Sequence, residues 1–183
     1  LVDKTASFVY ETEEPRKNWS QILAVAPGEA ILKKIRIEPY FLDRLIAGIF
    51  KGIFLFIFRV CWLLKIQGRN YLPLQGPYVL CPNHASYLDG FAVFGSLLFR
   101  NISNVFFLGY SDILEHPLVR WAIKPARFIP LDPNTNLTKA LQAVSFVLSQ
   151  KKIVCIFPEG RRSVDENIGE FKKGVGILIK ELN

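Results

Sequence analysis

Methionine is absent from all 183 residues, histidine occurs twice, and cysteine only three times. Each scarcity narrows the chemistry. Cys61, Cys81 and Cys155 are odd in number, widely spaced and set in apolar runs. That excludes a disulfide framework and a clustered metal set, and they read as reduced core thiols in a cytosol-facing protein. No internal repeat or low-complexity tract is visible. No helix-turn-helix, zinc finger or RNA-binding aromatic motif accompanies the net charge of +7. The basic excess is therefore assigned to an anionic membrane as partner, with no nucleic acid. Leu1 is not an initiator methionine, and the chain reads as a piece of a longer protein cut at both ends.

What is present is apolar. Half of the residues are hydrophobic and fifteen are phenylalanine, enough for one sizeable core and for surface that meets lipid. Residues 1–40 read as a connector, with a charged, proline-containing stretch from Glu11 to Lys17, a turn at Ala26-Pro27-Gly28 and a short helix over 29–35. Residues 41–66 read as a membrane-associating helical segment. At about 100° per residue, Arg44, Lys51, Arg59 and Lys65 fall within an arc of roughly 120°. A basic stripe of this kind suits a helix lying among headgroups, with Phe54 and Phe58 beneath. Apolar side chains and central cations nearly balance on an insertion scale, so an interfacial or shallowly inserted helix is preferred to a spanning one.

From residue 67 to 183 strands and helices alternate. Strands are expected at 78–82, 104–109, 127–131 and 153–157, and helices at 89–99, 115–123, 137–150 and 172–182, with Asn136 as a cap. His116 reads as a helix start. The pattern predicts an α/β layered sheet with flanking helices, preceded by the membrane-associating amphipathic helix, and sites just past the strand ends.

Two runs carry chemistry. Asn83-His84-Ala85-Ser86-Tyr87-Leu88-Asp89 follows the strand at 78–82. A neutral imidazole takes a proton from a hydroxyl near neutral pH, and a nearby carboxylate holds its ring and stabilises the imidazolium. Phe157-Pro158-Glu159-Gly160-Arg161-Arg162-Ser163 ends another strand in a turn with a glycine and two arginines, a seat for an anionic group.

These runs resemble the signatures N-H-x-S-x-x-D and F-P-E-G-x-R-S of the PlsC-type glycerolipid acyltransferases, in the family's order and spacing. The resemblance implies transfer of an acyl group from a thioester, acyl-CoA or acyl-carrier protein, to a lysophospholipid hydroxyl, most readily that of 1-acylglycerol-3-phosphate. It implies His84 as general base, Asp89 as its orienting partner, and no covalent intermediate, so Ser86 and Asn83 serve the turn and the substrate. It places Glu159, Gly160 and Arg161 at the acceptor's phosphate region, with Glu159 holding Arg161 or the loop. It implies no cofactor beyond the acyl donor.

The sequence departs from the family in two places. The second signature, roughly G-x-x-F-I-x-R, keeps Phe128-Ile129 but has Pro125 for the glycine and Leu131 for the arginine. Arg127 lies on the same strand face as Leu131 and is expected to send its guanidinium into the cleft instead. The fourth signature strand is absent, so the domain is read as truncated before it. The opening residues faintly resemble the stretch that joins such domains to an acyl-activating domain. The expected location is a membrane's cytoplasmic face. Two other classes stay open, a His84-dependent thioester or phosphoester hydrolase and a non-catalytic membrane module.

Overall fold

A computed structural model describes residues 18–110, 126–131, 137–163 and 167–182. The expected helix at 115–123, His116 and the cap Asn136 lie outside these residues. Four parallel strands, β1 (Tyr78–Leu80), β2 (Val105–Tyr110), β3 (Arg127–Leu131) and β4 (Ile153–Cys155), form one sheet in the order β1-β4-β2-β3. Val79, Val154, Phe106 and Arg127 stand in one row across it. The helices are α1 (Trp19–Ala24), α2 (Glu29–Lys34), α3 (Phe41–Trp62), α4 (Asp89–Ser96), α5 (Leu137–Ser149) and α6 (Lys173–Leu182).

Alternation along the strands builds two cores. Phe106, Ile129 and Val154 face α5 and α6, packing against Leu141, Val144, Val147 and Leu178. Val105, Phe107, Ile153 and Cys155 face α3 and α4, packing against Ala47, Phe94 and Leu97. A strand covered on both faces needs apolar residues at successive positions. Ile153-Val154-Cys155 supplies them, and all three are 0% exposed. The expected α/β layers are therefore observed, a sheet between two helical layers.

Residues 18–40 do more than connect. Leu23 and Ile35 are buried in the α5 and α6 core, and Ser145 Oγ donates to the Leu23 carbonyl at 2.9 Å. Helix α1 was not expected, because six residues carry too little periodicity to be recognised alone. Its Asn18 cap accepts from the Gln21 N–H.

Helix α3 reverses the expected polarity. Lys51, placed on the headgroup stripe, is 1% exposed; its Nζ donates to the Gly95 carbonyl and lies 5.0 Å from the Phe99 ring centre. Phe58 is buried, and half-buried Phe54 packs on Phe91 and Phe94. Only Arg44 and Arg59 of the proposed membrane contacts are exposed. Phe41, Leu45, Ile49, Ile53, Phe56 and Val60 form the outward face instead. The reason lies on α4. Its C-terminal carbonyls lack helical partners, and cations complete them: Lys51 at Gly95, and Arg69 Nε at Ser96 O, 2.6 Å.

The cysteines divide as well. Cys155 is buried, but Cys61 and Cys81 are exposed and are not core thiols. Each follows or sits within an apolar run whose outward side this sheet and helix leave uncovered.

Candidate active site

The strand ends bring the two chemical runs together. His84 lies four residues beyond β1 and Asp89 opens α4. β1 and β4 are neighbours, and the pairing extends past them, Ile156 N donating to Leu80 O at 2.9 Å. Residues 81–89 and 157–163 therefore leave the sheet side by side.

Asp89 organises the first loop around one oxygen. Its Oδ2 accepts the Ala85 N–H at 2.7 Å, the Ser86 N–H at 2.8 Å, and lies 3.0 Å from His84 Nδ1. An ionised carboxylate only accepts hydrogen bonds, so the imidazole must present Nδ1–H to it. That tautomer leaves Nε2 with a free lone pair. The two side chains keep 22% and 25% exposure, open to a substrate. Ser86 Oγ accepts the Leu88 N–H at 3.1 Å, a turn contact and not a nucleophile's partner. Asn83 is exposed beside His84.

Glu159 joins the second loop to the first. Its Oε1 accepts the His84 N–H at 2.9 Å and its Oε2 the Gly169 N–H at 3.0 Å. These two donors hold its carboxyl below the usual carboxylate range. Glu159 thus holds the loop and not Arg161. A Cβ at residue 169 would stand 3.1 Å from Oε2, tighter than ordinary contact, so a larger residue there would push the carboxylate aside by a few tenths of an ångström. Ser163 N donates to His84 O at 2.7 Å, and the Phe157 ring stacks on the imidazole with centroids 4.1 Å apart. The histidine is fixed through its backbone, ring face and Nδ1.

The turn leaves its cations outward. Gly160 N donates to Phe157 O at 3.1 Å, and Gly160 has φ +65°, a left-handed conformation that favours glycine. Arg161 is exposed, and among the described residues no hydrogen bond or ion pair occupies it. Arg162 lies over the Tyr87 ring at 3.6 Å and donates Nη2 to its hydroxyl at 2.9 Å. Lys172, bonded through its N–H to Pro158 O, runs its side chain past Gly160. Tyr87, Arg162 and Lys172 were not among the expected site residues. Arg162 is the fixed arginine of F-P-E-G-x-R-S and Arg161 its variable residue, so the motif itself could have singled out Arg162; Lys172 lies ten residues beyond it and carried no motif.

Arg127 is not in this cleft. It begins β3, while His84 follows the opposite, C-terminal end of the sheet, and Nη1 donates to Ser103 O at 2.9 Å. Sharing a face with Leu131 does not bring it close, because four strand residues span about 13 Å.

An apolar groove of about 460 Å³ opens beside the site, lined by Leu72, Leu80, Cys81, Pro82, Val93 and Leu97. A second, of about 410 Å³, lies on the other side of Cys81, between β1, α5 and α6. Among the described residues, no three His, Cys, Asp or Glu side chains stand close enough to hold a metal ion.

The acyltransferase family model matches residues 63–183, which contain both loops. This chain belongs to the acyltransferase family. The chain is 31% identical over 115 residues to the chloroplastic 1-acyl-sn-glycerol-3-phosphate acyltransferase LPAT1 of Arabidopsis thaliana, covering 61% of this chain and 31% of that one. It is 28% identical over 159 residues to a 1-acyl-sn-glycerol-3-phosphate acyltransferase of Limnanthes douglasii, covering 84% and 53%. It thus spans about a third to a half of these relatives' length. The crystal structure of the 1-acyl-sn-glycerophosphate acyltransferase PlsC from Thermotoga maritima shares its fold, with a TM-score of 0.57 and 21% identity over 76% of this chain and 55% of that one.

Proposed function

We propose that this acyltransferase moves a fatty acyl group from an acyl thioester, acyl-CoA or acyl-carrier protein, to the free hydroxyl of a 1-acylglycerol-3-phosphate. The observation that carries this reading is the His84–Asp89 contact at 3.0 Å, which leaves Nε2 as a base. Nε2 takes the acceptor's hydroxyl proton as its oxygen attacks the thioester carbonyl carbon. The C–S bond then breaks, and the imidazolium returns the proton to the departing thiolate. General-base help of this kind is worth about 10²–10⁴-fold in rate, and alignment of the two substrates supplies much of the rest.

Arg161, with Lys172 and Arg162 near it, offers the charge that an acceptor phosphate needs. In this reading Leu131 leaves the phosphate to the 157–163 turn. The groove lined by Leu80, Pro82, Val93 and Leu97 suits an acyl chain, since its lining reaches Pro82, two residues before His84. Among the described residues, α3 is the one helix long and apolar enough to cross a membrane. Its outward row of Phe41, Leu45, Ile49, Ile53, Phe56 and Val60 favours contact with a bilayer surface, and the cytoplasmic face is proposed on the reduced cysteines.

The deciding experiment is acyl transfer by the full-length protein from acyl-CoA and acyl-carrier protein to lysophosphatidate and to a neutral monoacylglycerol. Transfer to lysophosphatidate that His84→Ala abolishes is the expected result. Transfer to neither acceptor by folded, membrane-bound protein would replace this reading with a non-catalytic module, and release of free fatty acid with a hydrolase.

A further inference from the structure

At the end of the sheet opposite His84 lies a small cavity of about 70 Å³, lined by Arg36, Pro39, Asp43, Ile46, Ala47, Ser103 and Arg127. Arg127 is held there by its Nη1 bond to Ser103 O and by the Phe106 ring, 4.4 Å from its guanidinium carbon. Its Nη2 is buried and, among the described residues, has no hydrogen-bond partner. A buried guanidinium donor left open is costly, and anions or water are what complete it. Burial pulls the Arg127 pKa down to about 10, so the group remains a cation at neutral pH.

The surrounding charge favours an anion. Arg36 and Arg44 repel the charge on Arg127, and Glu38 and Asp43 attract it. Glu38 is already engaged by Lys152 Nζ at 2.6 Å. Of the charged residues, Arg36, Arg127 and Asp43 line the cavity, two cations to one carboxylate. Asp43, which lines the cavity, pairs with Arg36 and accepts the Tyr40 N–H at 2.9 Å, both through Oδ2.

We propose that this cavity binds a phosphate group, with Arg127 Nη2 and the Arg36 guanidinium as its donors, at a site separate from the acyl-transfer centre. Fork-shaped guanidinium donors match phosphate oxygens, and the volume admits one phosphate. The apolar residues beside it indicate the source. Tyr40, Phe41, Leu42 and Leu45 are 68%, 82%, 60% and 51% exposed within the first turns of α3. A phospholipid whose phosphate enters the cavity would lay its chains along that face. The site would then hold the start of α3 at headgroup depth.

The test uses full-length protein, with thermal stabilisation and titration by inorganic phosphate and by dihexanoyl phosphatidate. The variants are Arg36→Ala, Arg127→Gln, Asp43→Asn and the exposed control Lys139→Ala. The dihexanoyl lipid has no free hydroxyl on its glycerol, so it is not an acceptor for transfer. Stabilisation that falls at least tenfold in apparent affinity in Arg36→Ala and Arg127→Gln, but not in Lys139→Ala, is the expected result. Asp43→Asn should bind more tightly, because it removes the competing carboxylate while keeping a side-chain cap, an outcome that a purely structural Arg127 does not predict. Inorganic phosphate acting as well as the lipid would identify a soluble anion as the source, and lipid alone acting would identify a headgroup. Equal binding by wild type and Arg36→Ala, or equal loss in Lys139→Ala, would overturn the site. Arg36 lies half exposed, so its variant remains decisive if Arg127→Gln fails to fold. Acyl transfer measured in parallel keeps this result independent of the His84 chemistry.

Discussion

The Glu159 carboxylate accepts the backbone N–H of His84 at 2.9 Å, so the loop bearing the outward arginines sets the position of the base. The two loops are one device. Glu159, Ser163 and Phe157 each hold a different part of His84.

Glu159→Gln is expected to break that device. Its two oxygens each meet a backbone N–H, and an amide presents an NH₂ to one of them whichever way it turns. A displacement of the base by about 1 Å costs on the order of 10²-fold in kcat. The check is kcat beside KM, with the melting temperature of the same variant. Glu159 also predicts a pH response. Its carboxyl is depressed from 4.5 in the fold. The unfolded chain therefore binds the proton first, and the stability it contributes is full above that value. It is lost only as pH falls through the lower, folded pKa. A wild-type unfolding curve should steepen below about pH 4.5, and Glu159→Gln should lack that component.

Asp89→Asn separates charge from geometry. The amide oxygen can still take the Ala85 and Ser86 N–H groups, so the melting temperature should move little. The imidazolium loses its counter-charge, and kcat should fall about 10²–10⁴-fold. Asp89→Ala also removes the acceptor of three donors, so it should lower both kcat and melting temperature.

Tyr87 and Arg162 form a contact across the mouth of the site, at 3.6 Å between the ring and the guanidinium. Both are exposed, so either alanine variant should change stability by less than about 0.5 kcal/mol. Acceptor KM should rise with kcat held. The double variant should fall short of the sum, with a coupling of about 0.5–1 kcal/mol. Additive effects would mean that the two act separately.

Lys51 links burial to pH. Burial lowers its pKa from 10.5 to about 8. Between those values the unfolded chain holds more protons than the folded one, so stability rises with pH across that window. Lys51→Met should remove the rise, which is on the order of 1 kcal/mol after allowance for solvent screening. Its stability at pH 7 should be close to wild type or higher, since an apolar replacement removes the desolvation cost. Unfolding followed at pH 7, 8, 9 and 10 tests both statements.

Much of this was legible in order and spacing alone. The strand at 127–131 appears where expected, and α5 and α6 begin and end within a residue of their predicted bounds. His84 and Asp89 meet because the intervening five-residue step is a local turn, and local geometry follows from local sequence. The Phe157–Ser163 run revealed its place by ending a buried strand. Periodicity also placed a helix near 43–65, but it could not say which side faced inward. A cation reads as exposed unless some distant group receives it, and the receiving carbonyl of Gly95 lies 44 residues away.

The sequence by itself determined the alternating elements, the tautomer-setting pair His84–Asp89 and the two loops that carry the chemistry. Tertiary structure decided which remote groups satisfy the polar atoms those elements leave open. It put Lys51 on the end of α4, Glu159 on the backbone of His84, and Arg127 at the far end of the sheet from Leu80 and the base. The physical reason is that a buried donor or acceptor is costly unless it finds a partner, and the strand order β1-β4-β2-β3 determines which one is within reach.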